Sequence, residues 1–191
     1  MKKELKALFK AIRKNPDKAL KKLMKMPGLA HLEWDGSDKW IKGSTPLHWA
    51  SHEGDLNLVM KLVELGVDVN AENGDWWCRP VEWAADAGRF KTVKYLIENG
   101  ADIGGDKWSN CTPLHVAAQG GSSSGSKRKK GYKKVTEILI EASVNINEIA
   151  RYGGHPPPMT PLDDAIQAGN RVVEKILLKN NALRAQQLEE K

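Results

Sequence analysis

STPLHWA at residues 44–50 returns as CRPVEWA at 78–84, CTPLHVA at 111–117 and MTPLDDA at 159–165. Each copy is followed at one offset by a glycine, Gly54, Gly88, Gly121 and Gly169, and then by an apolar stretch that keeps register. Thr45, Arg79 and Thr112 are 34 and 33 residues apart, and the longer step of 48 from Thr112 to Thr160 contains two insertions. One lies between Gly121 and Val135; the other surrounds GGHPPPM at 153–159. With these set aside, Leu62, Leu96, Leu139 and Leu177 form one column and Val63, Ile97, Ile140 and Leu178 the next. Self-similarity at such a period marks a chain of stacked units.

The chemistry of one unit predicts its shape. A hydroxyl at Thr45 accepts from an orphan amide of a helix start, and Pro46 is preset for the first turn, so a short helix is predicted over about 46–52. Gly54 permits a tight turn into a second helix, about 55–65, with Leu58, Leu62 and Leu65 on one stripe. Gly66 ends it in the left-handed conformation. A helix pair of this size cannot bury both faces, so its stability has to come from its neighbours.

The opening, the period and the glycine offsets resemble ankyrin repeats, over roughly residues 40–182. The resemblance implies an all-α fold: an ankyrin repeat solenoid of stacked helix pairs with projecting β-hairpin-like fingers. The chain then divides into an N-terminal capping repeat at 1–39, repeats at 40–73, 74–106, 107–150 and 151–182, and a polar tail at 183–191. The cap is read from Leu5, Leu8, Phe9 and Ile12 at helical spacing, the break at Asn15 and Pro16, and a second stripe of Leu20, Leu23 and Met24. Asn181 replaces the stop glycine.

Composition narrows the class. No apolar run approaches the roughly 18–20 residues that span a bilayer, and the lysines through residues 2–25 interrupt any signal-peptide core. Cys78 and Cys111 share one repeat position; layers about 8–10 Å apart exceed the roughly 7 Å limit for a disulfide, and two free thiols suit a reducing, cytoplasmic compartment, or the nucleus of a eukaryote. The net charge of +6 conceals a segregation. Residues 1–30 hold ten Lys and Arg against two acids, whereas residues 31–120 hold fourteen acids and eight bases.

Seven tryptophans accompany only two phenylalanines. Trp49 and Trp83 occupy one position of the first helix and read as packing residues. Trp34, Trp40, Trp76, Trp77 and Trp108 fall in the finger segments, interleaved with Asp35, Asp38, Asp75, Asp106 and Lys107, as a recognition surface or as a finger-on-finger minicore. In ankyrin proteins partners lie along the concave groove, and register carries His52, Glu53, Asp86, Gln119 and Gln167 onto it. An acidic groove of this kind is complementary to a partner presenting a cationic or apolar segment. Tyr152 and His155, beside the three prolines of GGHPPPM, either extend that binding edge or belong to a tolerated surface insertion.

Residues that suggest chemistry are better explained by structure. His48 and His115 belong to the TPLH element, where the resemblance implies a hydrogen-bonding ring that ties finger to helix; Glu82 and Asp163 replace it in the other two copies. Asp163 and Asp164 lack a third ligand at metal spacing and sit at a helix start, where acids are favoured. GGSSSGSK at 120–127 lacks the lysine straight after the second glycine, and the preceding strand, that a phosphate loop requires. No constellation of nucleophile, base and orienter is present, which argues against an enzyme, and no residue calls for a cofactor.

The insertion adds a flexible GSSSGS stretch and a basic cluster, Lys127, Arg128, Lys129, Lys130, Lys133 and Lys134, read as a charged loop between two helices of one repeat. Two functional classes follow. The first is a monomeric, non-catalytic adaptor or inhibitor that binds another protein through finger tryptophans and an acidic groove. The second is a binder of nucleic acid or an anionic surface through the basic loop and the N-terminal helices; salt dependence separates the two.

Overall fold

The computed structural model describes residues 2–35, 42–74, 78–120, 129–152 and 157–190, without the side chains of Lys129 and Lys130. Its helices are α1 (Lys2–Lys14), α2 (Pro16–Lys25), α3 (Pro46–Glu53), α4 (Leu56–Glu64), α5 (Pro80–Asp86), α6 (Phe90–Glu98), α7 (Pro113–Gln119), α8 (Lys129–Glu141), α9 (Pro161–Gln167), α10 (Arg171–Lys179) and α11 (Ala185–Glu189), with a 3-10 turn at Pro27–His31. Odd-numbered helices α1 to α9 pack side by side in chain order, and so do even-numbered α2 to α10, which gives a two-layered solenoid of helix pairs. Among the described residues the finger segments form no strand; two isolated antiparallel bridges, Asn73 with Cys78 and Ala150 with Met159, mark their bases.

In the four repeats each first helix, α3, α5, α7 and α9, starts on a proline and each second helix carries the core column. Leu62, Leu96, Leu139 and Leu177 are fully buried, together with Leu47, Leu114 and Leu162 from the first helices. The column beside it is only half-buried at Val63, Ile97 and Ile140, and Leu178 is 52 % exposed. All four second helices end alike: Val67, Ala101, Val144 and Ala182 donate back to the carbonyls of Leu62, Leu96, Leu139 and Leu177 at 2.9–3.3 Å. That closure needs a left-handed residue, supplied by Gly66 and Gly100 and, without glycine, by Ser143 at φ 63° and Asn181 at φ 59°.

The structure departs from the sequence expectations in four places. In the third TPLH copy the left-handed stop is Gly120 at φ 64°, one residue before the Gly121 that register selects; Gly121 lies outside the described residues. The cap's second helix buries Ala19 and Leu23, while Met24 is 74 % exposed, because i and i+4 define the inward face of α2. Lys133 and Lys134 are not loop residues. They lie in α8, which begins one turn earlier than α4, α6 and α10 relative to the leucine column. Tyr132 in that added turn is buried, and a Cβ at Gly131 would sit 2.5 Å from the Gly88 carbonyl oxygen, so a bare backbone is required there. Trp34, finally, is half-buried against Phe9 with ring centroids 5.1 Å apart, and its backbone pairs with Gly43 and Ser44.

A repeated cap joins successive units. Arg89 Nε donates to the His52 carbonyl at 2.9 Å, the Tyr132 hydroxyl to the Asp86 carbonyl at 2.9 Å, and Asn170 Nδ2 to the Ala118 carbonyl at 3.2 Å. Three unlike side chains at one position of the second helix thus satisfy the carbonyl end of the preceding first helix.

Candidate interaction surface

The accessible stripe of the first helices follows from their periodicity. In α3 the buried residues are Pro46, Leu47, His48, Ala50 and Ser51, so Trp49, His52 and Glu53, spaced i, i+3 and i+4, share the half-open face. The equivalent residues are Trp83 and Asp86 on α5, and Val116 and Gln119 on α7, all half-buried, while Gln167 on α9 is exposed. The rings of Trp49 and Trp83 lie 5.9 Å apart, and Phe9 from α1 adds an edge-on contact to Trp49 at 5.7 Å. His52 meets Trp83 edge-on at 6.3 Å, and the Arg13 guanidinium lies 5.3 Å from the centre of the Trp49 ring.

The TPLH elements hold this face in place. Thr45 N–H donates to His48 Nδ1 at 3.0 Å, and His48 Nε2 lies 3.0 Å from the Cys78 carbonyl of the next finger. A carbonyl only accepts, so Nε2 carries the proton and the ring is neutral. His115 repeats this with Thr112 N–H at 3.1 Å and the Glu148 and Met159 carbonyls at 3.1 and 3.2 Å. Burial pushes both imidazoles down to about 4, outweighing the carbonyls that favour the charged form.

Glu82 and Asp163 do the histidine's task with a carboxylate. Arg79 N–H donates to Glu82 at 2.7 Å, and Thr160 N–H to Asp163 at 3.1 Å. Arg79 stands where the other copies have threonine; its guanidinium pairs with Glu82 at 2.6 Å, with Asp102 at 2.7 Å, and with the Gly104 carbonyl at 2.6 Å. Burial pushes the Glu82 carboxyl up while Arg79 pulls it the other way. Asp163 is further held by Arg184 at 2.7 Å and by the Ala185 amide at 2.8 Å, which docks α11 on α9.

Gln119 and Tyr152, far apart in sequence, meet. Gln119 Nε2 donates to the Tyr152 hydroxyl at 2.9 Å and to Asp164 at 3.1 Å, and the hydroxyl donates to the other Asp164 oxygen at 2.7 Å. Burial raises the Asp164 carboxyl to about 6 and raises the tyrosine well above its ordinary value. Cys111 lies 3.8 Å from the same hydroxyl; neither Cys78 nor Cys111 is in a disulfide, and burial pushes Cys78 up to about 12 and Cys111 well above its ordinary value, so neither is an activated nucleophile.

Of the remaining sequence-selected residues, Trp108 is 63 % exposed on its finger. Trp40, Asp75, Trp76, Trp77, His155, Lys127 and Arg128 lie outside the described residues. Lys129 and Lys130 open α8; Lys133 pairs with Glu137 at 3.8 Å, and the Lys134 ammonium sits 4.4 Å from the centre of the Phe90 ring. Sequence reasoning missed Phe9 and Arg13 as neighbours of Trp49, since nothing in the repeat pattern relates the cap to that column. It read Trp49 and Trp83 as packing residues; both are half-buried, and Trp49 packs against the core.

Among the described residues, no group of three His, Cys, Asp or Glu could hold a metal ion, and no helix is long and apolar enough to cross a membrane. The architecture is that of a helix-pair repeat protein. A family model for ankyrin repeats (3 copies) matches residues 8–106 and again 83–187, and the chain belongs to that family. Ankyrin repeats generally mediate protein–protein interaction and are typically non-catalytic. Comparison with curated proteins gives no significant match.

Proposed function

We propose that this chain is a monomeric, non-catalytic protein of the cytoplasm that acts as an adaptor or inhibitor, holding another protein along its concave face and finger tips. The observation that carries this reading is the pair of half-open indoles, Trp49 and Trp83, bordered by His52, Glu53 and Asp86. Large aromatic rings with polar neighbours are the residues whose truncation costs most in interfaces. Trp108, with Trp40, Trp76 and Trp77 on the same kind of segment, extends the contact to the fingers, and Glu53 with Asp86 favours a cationic or apolar segment of the partner beside them.

The test is affinity capture from a lysate of the source organism, comparing the native chain with Trp83→Ala and with Trp76→Ala, Trp77→Ala, each shown to melt as the native chain does. A protein retained by the native chain and lost by either variant is the expected result. Recovery of nucleic acid alone, eluting at moderate salt, would shift the function to the basic residues of 127–134 and the N-terminal helices.

A further inference from the structure

The N-terminal end of the concave face carries the opposite charge from its middle. Lys6, Lys10 and Arg13, at helical spacing on α1, border a trough of about 230 Å³ whose apolar walls are Phe9, Trp34 and Trp49. The walls are fixed, since Phe9 packs edge-on against both indoles at 5.1 and 5.7 Å. The cations are available. Among the described residues Lys6 and Lys10 have no ion-pair partner, and Arg13, 60 % exposed, reaches only Glu53, at 3.9 Å. Asp35, next to Trp34, is held by Lys2 at 2.6 Å.

We propose that this trough is a subsite for an acidic peptide segment, which sets an apolar or aromatic side chain against Trp34 and Trp49 and carboxylates against Lys6, Lys10 and Arg13. The assignment rests on the concave face being a protein-binding surface, and it names the partner's chemistry at one end. Guanidinium and ammonium groups around a ring-lined wall match a carboxylate that flanks an apolar side chain. A single nucleic-acid strand also offers anions and flat rings, but it carries charge on every nucleotide. Continuing along the groove, it would meet Glu53 and Asp86, whereas a peptide can confine its acids to the segment over α1 and present cationic or apolar residues to the carboxylates beyond.

The experiment measures, by fluorescence anisotropy, binding of three labelled probes: a short glutamate-rich peptide with a central phenylalanine, its lysine-rich counterpart, and a short oligothymidine. Each is titrated into the native chain, into Lys6→Glu, Lys10→Glu, and into Lys133→Glu as a distant charge control. Lys6 and Lys10 are exposed, so the double variant is expected to keep its melting temperature. The expected result is that the acidic peptide binds the native chain, weakens roughly 10-fold or more in the double variant and with added salt, and is unchanged by Lys133→Glu. Equal binding to the native chain and the double variant overturns the proposal, as does oligothymidine binding more tightly and displacing the peptide. If only the lysine-rich peptide binds, and Trp83→Ala removes it, the concave face remains a peptide surface and this assignment alone falls.

Discussion

The repeat openings at 44–54 and 78–88 build the same bend from different chemistry. In the first, neutral Thr45 and His48 exchange hydrogen bonds, and the ring reaches on to the next finger. In the second, Arg79 and Glu82 occupy the same two positions as a buried ion pair, and it is the arginine that reaches the next finger, through Asp102 and Gly104. Position three residues into the helix therefore demands an acceptor for the backbone amide at the cap, and either an imidazole nitrogen or a carboxylate serves. What differs is the consequence of losing one partner. A neutral pair leaves a polar group that can be re-satisfied cheaply, whereas a buried charge without its counter-charge cannot.

The comparison breaks most visibly at Arg79. Arg79→Ala leaves Glu82 buried without its cation and should cost about 3–5 kcal/mol, against about 1 kcal/mol for Thr45→Ala. Urea unfolding of the two variants checks this, and equal costs would mean that charge is irrelevant at this position. Replacing both partners, Arg79→Thr with Glu82→His, should recover most of the loss, because the consensus pair needs no counter-charge.

Acid is the next largest lever, and it acts on the histidine openings. His48 and His115 are held neutral, with folded values of about 4 against 6.5 in the open chain. Their contribution is complete above pH 6.5 and is lost as pH falls towards 4, by up to roughly 3 kcal/mol for each ring. The two histidines should therefore pull the melting temperature down between pH 7 and pH 4. Glu82 and Asp164 oppose them, since burial raises their carboxyls to about 7 and about 6 and their protonation stabilises the fold over the same range. Relative to the native chain, His48→Gln with His115→Gln should raise the melting temperature more at pH 4 than at pH 7. An unchanged slope in the double variant would place the acid sensitivity elsewhere. The smallest effect is expected at Asp102, whose side chain is 63 % exposed although it lies 2.7 Å from Arg79. Asp102→Asn should change stability by less than about 1 kcal/mol, because water screens that partner and Glu82 remains.

Much of the fold was legible because each repeat pairs a cap, a proline and a leucine column at fixed offsets. The cap helix α2 was read one residue out of phase, since Leu20, Leu23 and Met24 offer two overlapping stripes and only the neighbouring helix selects Ala19 and Leu23. Lys133 and Lys134 looked like loop because a basic run has no periodicity of its own. Tyr132 decides otherwise, by burying its ring and donating to the Asp86 carbonyl of the preceding repeat. The candidate surface was legible in its columns, His52, Asp86 and Gln119, but not in its cross-links. Gln119, Tyr152 and Asp164 form one network across a long insertion, and Phe9 and Arg13 come from a helix outside the repeat register.

By itself the sequence determined the repeat unit, its period, most of its helix starts and stops and its apolar column, because these depend on interactions within about a dozen residues and recur four times. Tertiary structure alone decided which side chains meet across repeats: the Arg79–Asp102 contact, the caps from Arg89, Tyr132 and Asn170, and the aromatic row from Trp34 through Phe9 to Trp49 and Trp83. Stacking brings together residues about 20 or more positions apart, and the direction in which each side chain leans from its helix, which no local pattern encodes, determines whether they touch.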